Sequence, residues 1–184
     1  MNKKNYGFET KLISQDRYID GKTGAVNPPV YYSSTFHQEQ FDSFGPFDYT
    51  RSGNPTRKVL EDTIAELEGG VQGFAFASGM AAISSAFMLL SSGDHVIISE
   101  DVYGGTFRMV TKVLTKFQIQ HTFVDMTDLD AVAGAFRPNT KVVYVETPSN
   151  PLLHITDIRG VVKLAKAHNC LVYVDNTFMT PLYQ

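Results

Sequence analysis

Four apolar stretches of this sequence end in residues able to bind a ligand or move a proton. CLVYVD (170–175) closes on Asp175, a carboxylate at the end of a run that otherwise reads as a buried strand. GFAFA (73–77) runs into Ser78-Gly79-Met80 and then an apolar helix. The first N–H groups of a helix have no intrahelical partner, so a small-residue turn at its start favours an anion. HVIIS (95–99) leads to EDVYGGT, where the Tyr103 ring beside two glycines could lie flat on a ligand. VVYVE (142–146) leads to TPSNP, in which Asn150 is held among prolines. Each has a plainer reading: an ordinary strand-to-helix turn, a tyrosine capping the core, a turn-forming Asn, or a turn or N-cap Asp. Together, an anion site, an aromatic ring, an amide and a carboxylate suit a flat, phosphorylated, basic heterocycle. Pyridoxal 5'-phosphate (PLP) fits, with Asp175 keeping the pyridine nitrogen protonated. The protonated ring is an electron sink for carbanions formed on a substrate.

The elements that must position these residues alternate. Asn54 and Pro55 open a helix whose Val59, Leu60, Ile64 and Leu67 share one face, and Gly69-Gly70 ends it. GFAFA is a predicted strand, and MAAISSAFMLL a helix stopped at Ser91-Ser92-Gly93-Asp94. HVIIS is a strand, followed by a helix over 106–117 with Phe107, Val110, Val113, Leu114 and Phe117 inward. IQHTFVD is a strand, and Thr127 with Asp130 reads as a capping box before a helix from Leu129 to Phe136. VVYVE, a helix over about 158–168 and CLVYVD complete the pattern. Strands alternating with helices predict an α/β fold, with a doubly wound, mostly parallel sheet that binds ligands at the carboxyl ends of its strands. The first fifty residues show no helical period and are broken by Pro28-Pro29 and Gly45-Pro46, which predicts an extended N-terminal arm packed on another subunit.

Composition narrows the classes. Of 184 residues 43% are hydrophobic and 19% charged, and the net charge is -3, with no basic surplus for nucleic acid or an anionic membrane. No apolar run reaches a membrane span, and MNKKNYGFETKL lacks the apolar core of a signal peptide. One cysteine, Cys170, excludes an internal disulfide and fits a reducing, cytoplasmic setting. His37, His95, His121, His154 and His168 are scattered, so no metal site is expected. DGKTG (20–24) looks like the tail of a P-loop, but Asp16 stands where the loop needs glycine; it reads as a turn.

At these residues the sequence resembles the Cys/Met-metabolism PLP-dependent enzymes. The likeness runs from about Thr23 to the last residue, through TGAV (23–26), YTRSGNPTR (49–57), ELEGG (66–70), FASGMAA (76–82), DVYGGT (101–106), VETPSNP (145–151) and VDNTF (174–178). It implies an aspartate-aminotransferase-like large domain, with residues 1–53 an arm reaching the neighbouring subunit and 54–184 the N-terminal part of the PLP-binding domain. It assigns Tyr49 and Arg51 to the phosphate of the neighbour's cofactor. Ser78, Gly79 and Met80 would bind phosphate, while Tyr103 stacks on the ring and assists proton transfer. Asn150 would approach the cofactor hydroxyl or the substrate carboxylate, Asp175 the pyridinium, and Thr177 the side of the ring. Glu146 is left as a support behind these contacts. Ile13 is followed by Ser14-Gln15 where the family often has an Ile-His-x-Gly pattern.

The resemblance further implies a carbon–sulfur lyase of transsulfuration, in methionine and cysteine metabolism, most similar to the bacterial cystathionine lyases at DVYGGTFR and ETPSNPLL. A γ-replacement on activated homoserine, as in a cystathionine γ-synthase, is the alternative. The expected assembly is a dimer sharing active sites, or a homotetramer, acting on a sulfur amino acid. The family's Schiff-base lysine, in a Ser-x-Thr-Lys motif, comes after the VDNTF block, and none of the lysines here follows Asp175. The chain is therefore expected to be about half of a family chain, inactive alone or a non-catalytic fragment.

Overall fold

The computed structural model describes residues 6–13 and 19–184, in two compact units, Met1–Ala75 and Phe76–Gln184. The Asp16 and Ser14-Gln15 readings lie outside the described residues. In the first unit a short helix, α1 (Phe8–Ile13), stands where no helical period was read. Six residues hold barely more than one turn, too few for a period to emerge. DGKTG is a turn: the Asp20 carboxylate accepts from the Thr23 N–H (3.1 Å). A single glutamine closes the next loop. Gln38 Nε2 donates to the Phe36 and Phe47 carbonyls, and its Oε1 accepts from the Gly45 N–H.

Helix α2 (Pro55–Leu67) begins as predicted, with Asn54 accepting from the Thr56 N–H (2.8 Å). The GFAFA strand does not form. Gly73 lies so close to α2 that a Cβ there would fall 2.2 Å from the Glu61 carbonyl oxygen. The Glu61 carboxylate also takes the Ala75 N–H (3.0 Å). This backbone is thus committed to a helix instead of a strand ladder, and Phe74 stays 68% exposed.

The second unit is a four-stranded, wholly parallel sheet in the order β2-β1-β3-β4, from β1 (His95–Ser99), β2 (Gln120–Val124), β3 (Thr140–Glu146) and β4 (Leu171–Asp175). Alternate residues of the central strands enter two cores. Val96, Ile98, Val142 and Tyr144 pack with Phe87, Val110 and Leu114. Ile97, Val143 and Val145 pack with Val132, Val161 and Ala165. The first core therefore uses α3 (Gly79–Phe87) and the segment around Val110, and the second uses α5 (Leu129–Gly134) and α6 (Ile158–Ala167). A sheet covered on both faces is the doubly wound arrangement. β1 and β3 are almost wholly buried, whereas the edge strands β2 and β4 are half-buried.

Three helix expectations change in detail. The helix over 106–117 is α4 (Gly104–Arg108), a π turn (Met109–Val113) and a 3₁₀ turn (Leu114–Phe117). Val110 and Leu114 are buried while Phe107, Val113 and Phe117 are not, and the wide π turn shifts the phase of the faces that follow it. Thr127 forms no capping box: its hydroxyl donates to Asp125, and Asp128 caps α5 by accepting from the Asp130 and Ala131 N–H groups. α3 stops at Phe87, leaving Met88 and Leu89 exposed. A last short helix, α7 (Thr180–Tyr183), follows β4.

At the amino end of β1, His95 is fully buried between the hydroxyls of Thr140 (2.8 Å) and Thr122 (2.9 Å). Burial, then the charges of Arg137 and His121, lower its pKa from 6.5 to about 4. Protonation is therefore easier in the unfolded chain. The stability due to neutral His95 is complete above pH 6.5 and is lost as pH falls toward 4. Its full extent is on the order of 3 kcal/mol. Urea midpoints at pH 7 and pH 5 should fall less on acidification in His95→Gln than in the wild type. Equal falls would remove His95 as the cause.

Candidate active site

The parallel register brings the carboxyl ends of the strands to one edge: Ser99 pairs with Val124, and Glu146 with Asp175. A cavity of about 310 Å³ opens there, lined by Ser78, Gly79, Met80, Tyr103, Asn150, Asp175 and Thr177, and also by Ile83, Glu146, Pro148 and Phe178. Seven of the nine predicted site residues thus share one cavity. Tyr49 and Arg51 belong to the other unit and are not among its lining residues. There the Arg51 guanidinium donates to the Tyr49 hydroxyl (3.3 Å) and lies over its ring. Their loop is braced from α2, because Arg57 donates to the Ser52 carbonyl (3.0 Å) and Asn54 to the Thr50 hydroxyl (2.8 Å).

Each cavity residue is set by its element. Ser78 is the N-cap of α3; its Oγ accepts from the Ala81 N–H (3.1 Å) and keeps its own proton to donate. The Gly79 and Met80 N–H groups precede the helical ladder, whose first bond runs from the Ala82 N–H to the Ser78 carbonyl. Tyr103 occupies the N-cap position of α4 without capping it, so its side chain is spared for the cavity. Gly105 makes room for that ring: a Cβ would stand 2.5 Å from Tyr103 Cε1 and 2.7 Å from Met80 Sδ.

The Asp175 carboxylate is oriented from both sides. Oδ1 accepts from the Thr177 N–H (3.1 Å) and hydroxyl (2.5 Å), and Oδ2 from the Tyr144 hydroxyl (2.9 Å). Burial first, and then Asp175, raise the Tyr144 pKa, so the phenol remains a donor. Tyr144 is absent from the sequence-based site. Its signal was its place two residues before Glu146 on the same strand, but only the register puts it beside Asp175. Glu146, read as a support behind these contacts, also lines the cavity and is 5% exposed. Burial raises its carboxyl above the usual range, the Tyr103 and Asn150 N–H groups pull it back, and Asp175 and Asp101 push it up.

This donor set fits PLP. Free N–H groups and a hydroxyl suit a phosphate, a carboxylate suits a ring cation, and the volume lies at the small-ligand end of the usual range. The class defined is a doubly wound α/β protein with a strand-end site for a phosphorylated ring. The chain belongs to the family described as Cys/Met metabolism PLP-dependent enzyme, which it matches over residues 9–184. It is 64% identical to cystathionine β-lyase MetC of Bacillus subtilis (strain 168), over 100% of this chain and 47% of that protein. It is 53% identical to cystathionine β-lyase of Lactococcus lactis subsp. cremoris, over 96% and 47%. The solved structure of cystathionine γ-lyase from Lactobacillus plantarum complexed with L-serine superposes with a TM-score of 0.92 at 52% identity, over 96% of this chain and 46% of that one. The chain spans about half the length of the relatives it matches.

Proposed function

We propose that the strand-end cavity holds PLP and that the whole protein cleaves a carbon–sulfur bond of cystathionine or a related sulfur amino acid. The observation that carries this reading is one cavity with a helix start suited to phosphate and a carboxylate suited to a ring cation. The Gly79 and Met80 N–H groups and the Ser78 hydroxyl take the phosphate. Asp175, held by Thr177 and Tyr144, keeps the ring nitrogen protonated. Tyr103 lies on the ring and assists proton transfer, Asn150 meets the ring hydroxyl or the substrate carboxylate, and Thr177 packs beside the ring. PLP, when bound, supplies an electron sink for a substrate carbanion.

Residues 1–53 are an arm to the neighbouring subunit, and 54–184 the N-terminal part of the PLP-binding domain. Tyr49 and Arg51 complete the neighbour's phosphate site, for which the planar, multi-donor guanidinium is suited. This makes the working unit a dimer sharing active sites, within a cytoplasmic homotetramer. Among the described residues no helix is long and apolar enough to cross a membrane.

The 64% identity to a β-lyase supports β-elimination, which converts cystathionine and water into homocysteine, pyruvate and ammonia. The whole protein with added PLP should show a visible absorption band and release pyruvate with homocysteine. Release of 2-oxobutyrate with cysteine would make it a γ-lyase. Turnover only with an activated homoserine would make it a γ-synthase. No band retained with the protein after saturation and removal of unbound PLP would reject the cofactor reading.

A further inference from the structure

Two carboxylates cross-link the loops that carry Tyr103 and Asn150. Glu146, at the end of β3, accepts from the Tyr103 N–H through Oε2 (3.0 Å) and from the Asn150 N–H through Oε1 (2.9 Å). Asp101, in the loop after β1, accepts from the Ser149 hydroxyl and the Leu152 N–H (3.0 Å). The Ser149 oxygen in turn accepts from the His154 N–H (2.9 Å). Each loop is thereby tied to the other. The anchor is rigid, because the Glu146 backbone pairs with Asp175 in the sheet and its N–H reaches Ser99 Oγ (3.4 Å).

A buried side chain that accepts two N–H groups from two loops on separate oxygens has to be a carboxylate. An amide offers one oxygen and would turn its own donor against the other N–H. Burying that charge is costly, and the backbone N–H groups of two cavity-lining residues, Tyr103 and Asn150, offset part of the cost.

We propose that Glu146, backed by Asp101, is a positioning residue that holds Tyr103 and Asn150 in one fixed relation to Asp175. The proposal rests on the reading of the cavity as a PLP site. It concerns this chain's own geometry, however, and is first tested without PLP. In the whole apo-protein, Glu146→Gln should raise amide hydrogen exchange at 101–104 and at 149–152 together, by about tenfold or more, and leave α3 and β1 unchanged. Asp101→Asn, which leaves the buried Glu146 in place, should give the same paired response more weakly. With PLP bound, Glu146→Gln should at least halve the visible circular dichroism per bound cofactor. It should lower kcat about 10- to 100-fold with KM within about threefold, the signature of misplaced groups.

Exchange that rises in one loop alone, or in neither, overturns the clasp. So do wild-type dichroism and kcat in a variant that is only less stable. A wild-type protein that binds no PLP but keeps the paired exchange response would sink the cofactor reading and support the clasp.

Discussion

Asp175→Asn in the whole protein should fold and bind PLP, yet turn over the proposed substrate, cystathionine, at least about 100-fold more slowly. The substitution keeps the shape and removes the charge. Asn can still accept from Thr177 through its oxygen, and the Tyr144 hydroxyl can turn from donor to acceptor toward the new amide, so the network in the structure re-forms. What is lost is the negative charge that we propose keeps the ring nitrogen protonated. A hydrogen bond to a charged group is worth about 1.5–3 kcal/mol, or roughly 10- to 100-fold in rate, before counting the weaker electron withdrawal by an unprotonated ring. Comparing kcat, thermal midpoint and the visible band of variant and wild type checks this. A variant with near-normal kcat would remove Asp175 from its assigned role.

Gly105→Ala should weaken PLP binding about tenfold or more while moving the thermal midpoint little. The added Cβ collides with side chains only, Tyr103 Cε1 at 2.5 Å and Met80 Sδ at 2.7 Å. Tyr103 is 44% exposed and can swing away, so the strain is relieved by moving the ring and not by unfolding. Overpacking a closed core would cost about 1–3 kcal/mol. Here most of that cost is transferred to ligand contacts, because the two displaced side chains both line the cavity. Equilibrium titration with PLP beside a thermal melt separates the two effects. A large fall in midpoint with unchanged affinity would mean that Gly105 serves the fold and not the site.

Much of the architecture was legible because parallel strands and their helices write strong local patterns. HVIIS and VVYVE are near-continuous apolar runs, as strands buried on both faces must be, and they became the central β1 and β3. Asn54-Pro55 marked a helix start that the side-chain cap bears out. GFAFA misled because alternating aromatics favour a strand only where a partner strand meets them. Gly73 and Ala75 are taken by α2 instead. The 106–117 segment misled because a π turn leaves no mark in the spacing of apolar residues, yet it rotates every face after it.

The sequence by itself determined the alternation of helices with the four strands that form, the placement of Tyr103, Asn150 and Asp175 at strand ends and of Ser78 at a helix start, and the family, since each depends on short-range pattern or on ordered motifs. Tertiary structure alone decided which groups serve those residues. Tyr144 meets Asp175, and Asp101 meets Ser149, across sequence separations of 31 and 48 residues. Such contacts follow from parallel register, in which neighbouring strands are joined through a helix crossover. The residues that touch are therefore far apart in the chain and share no local signal.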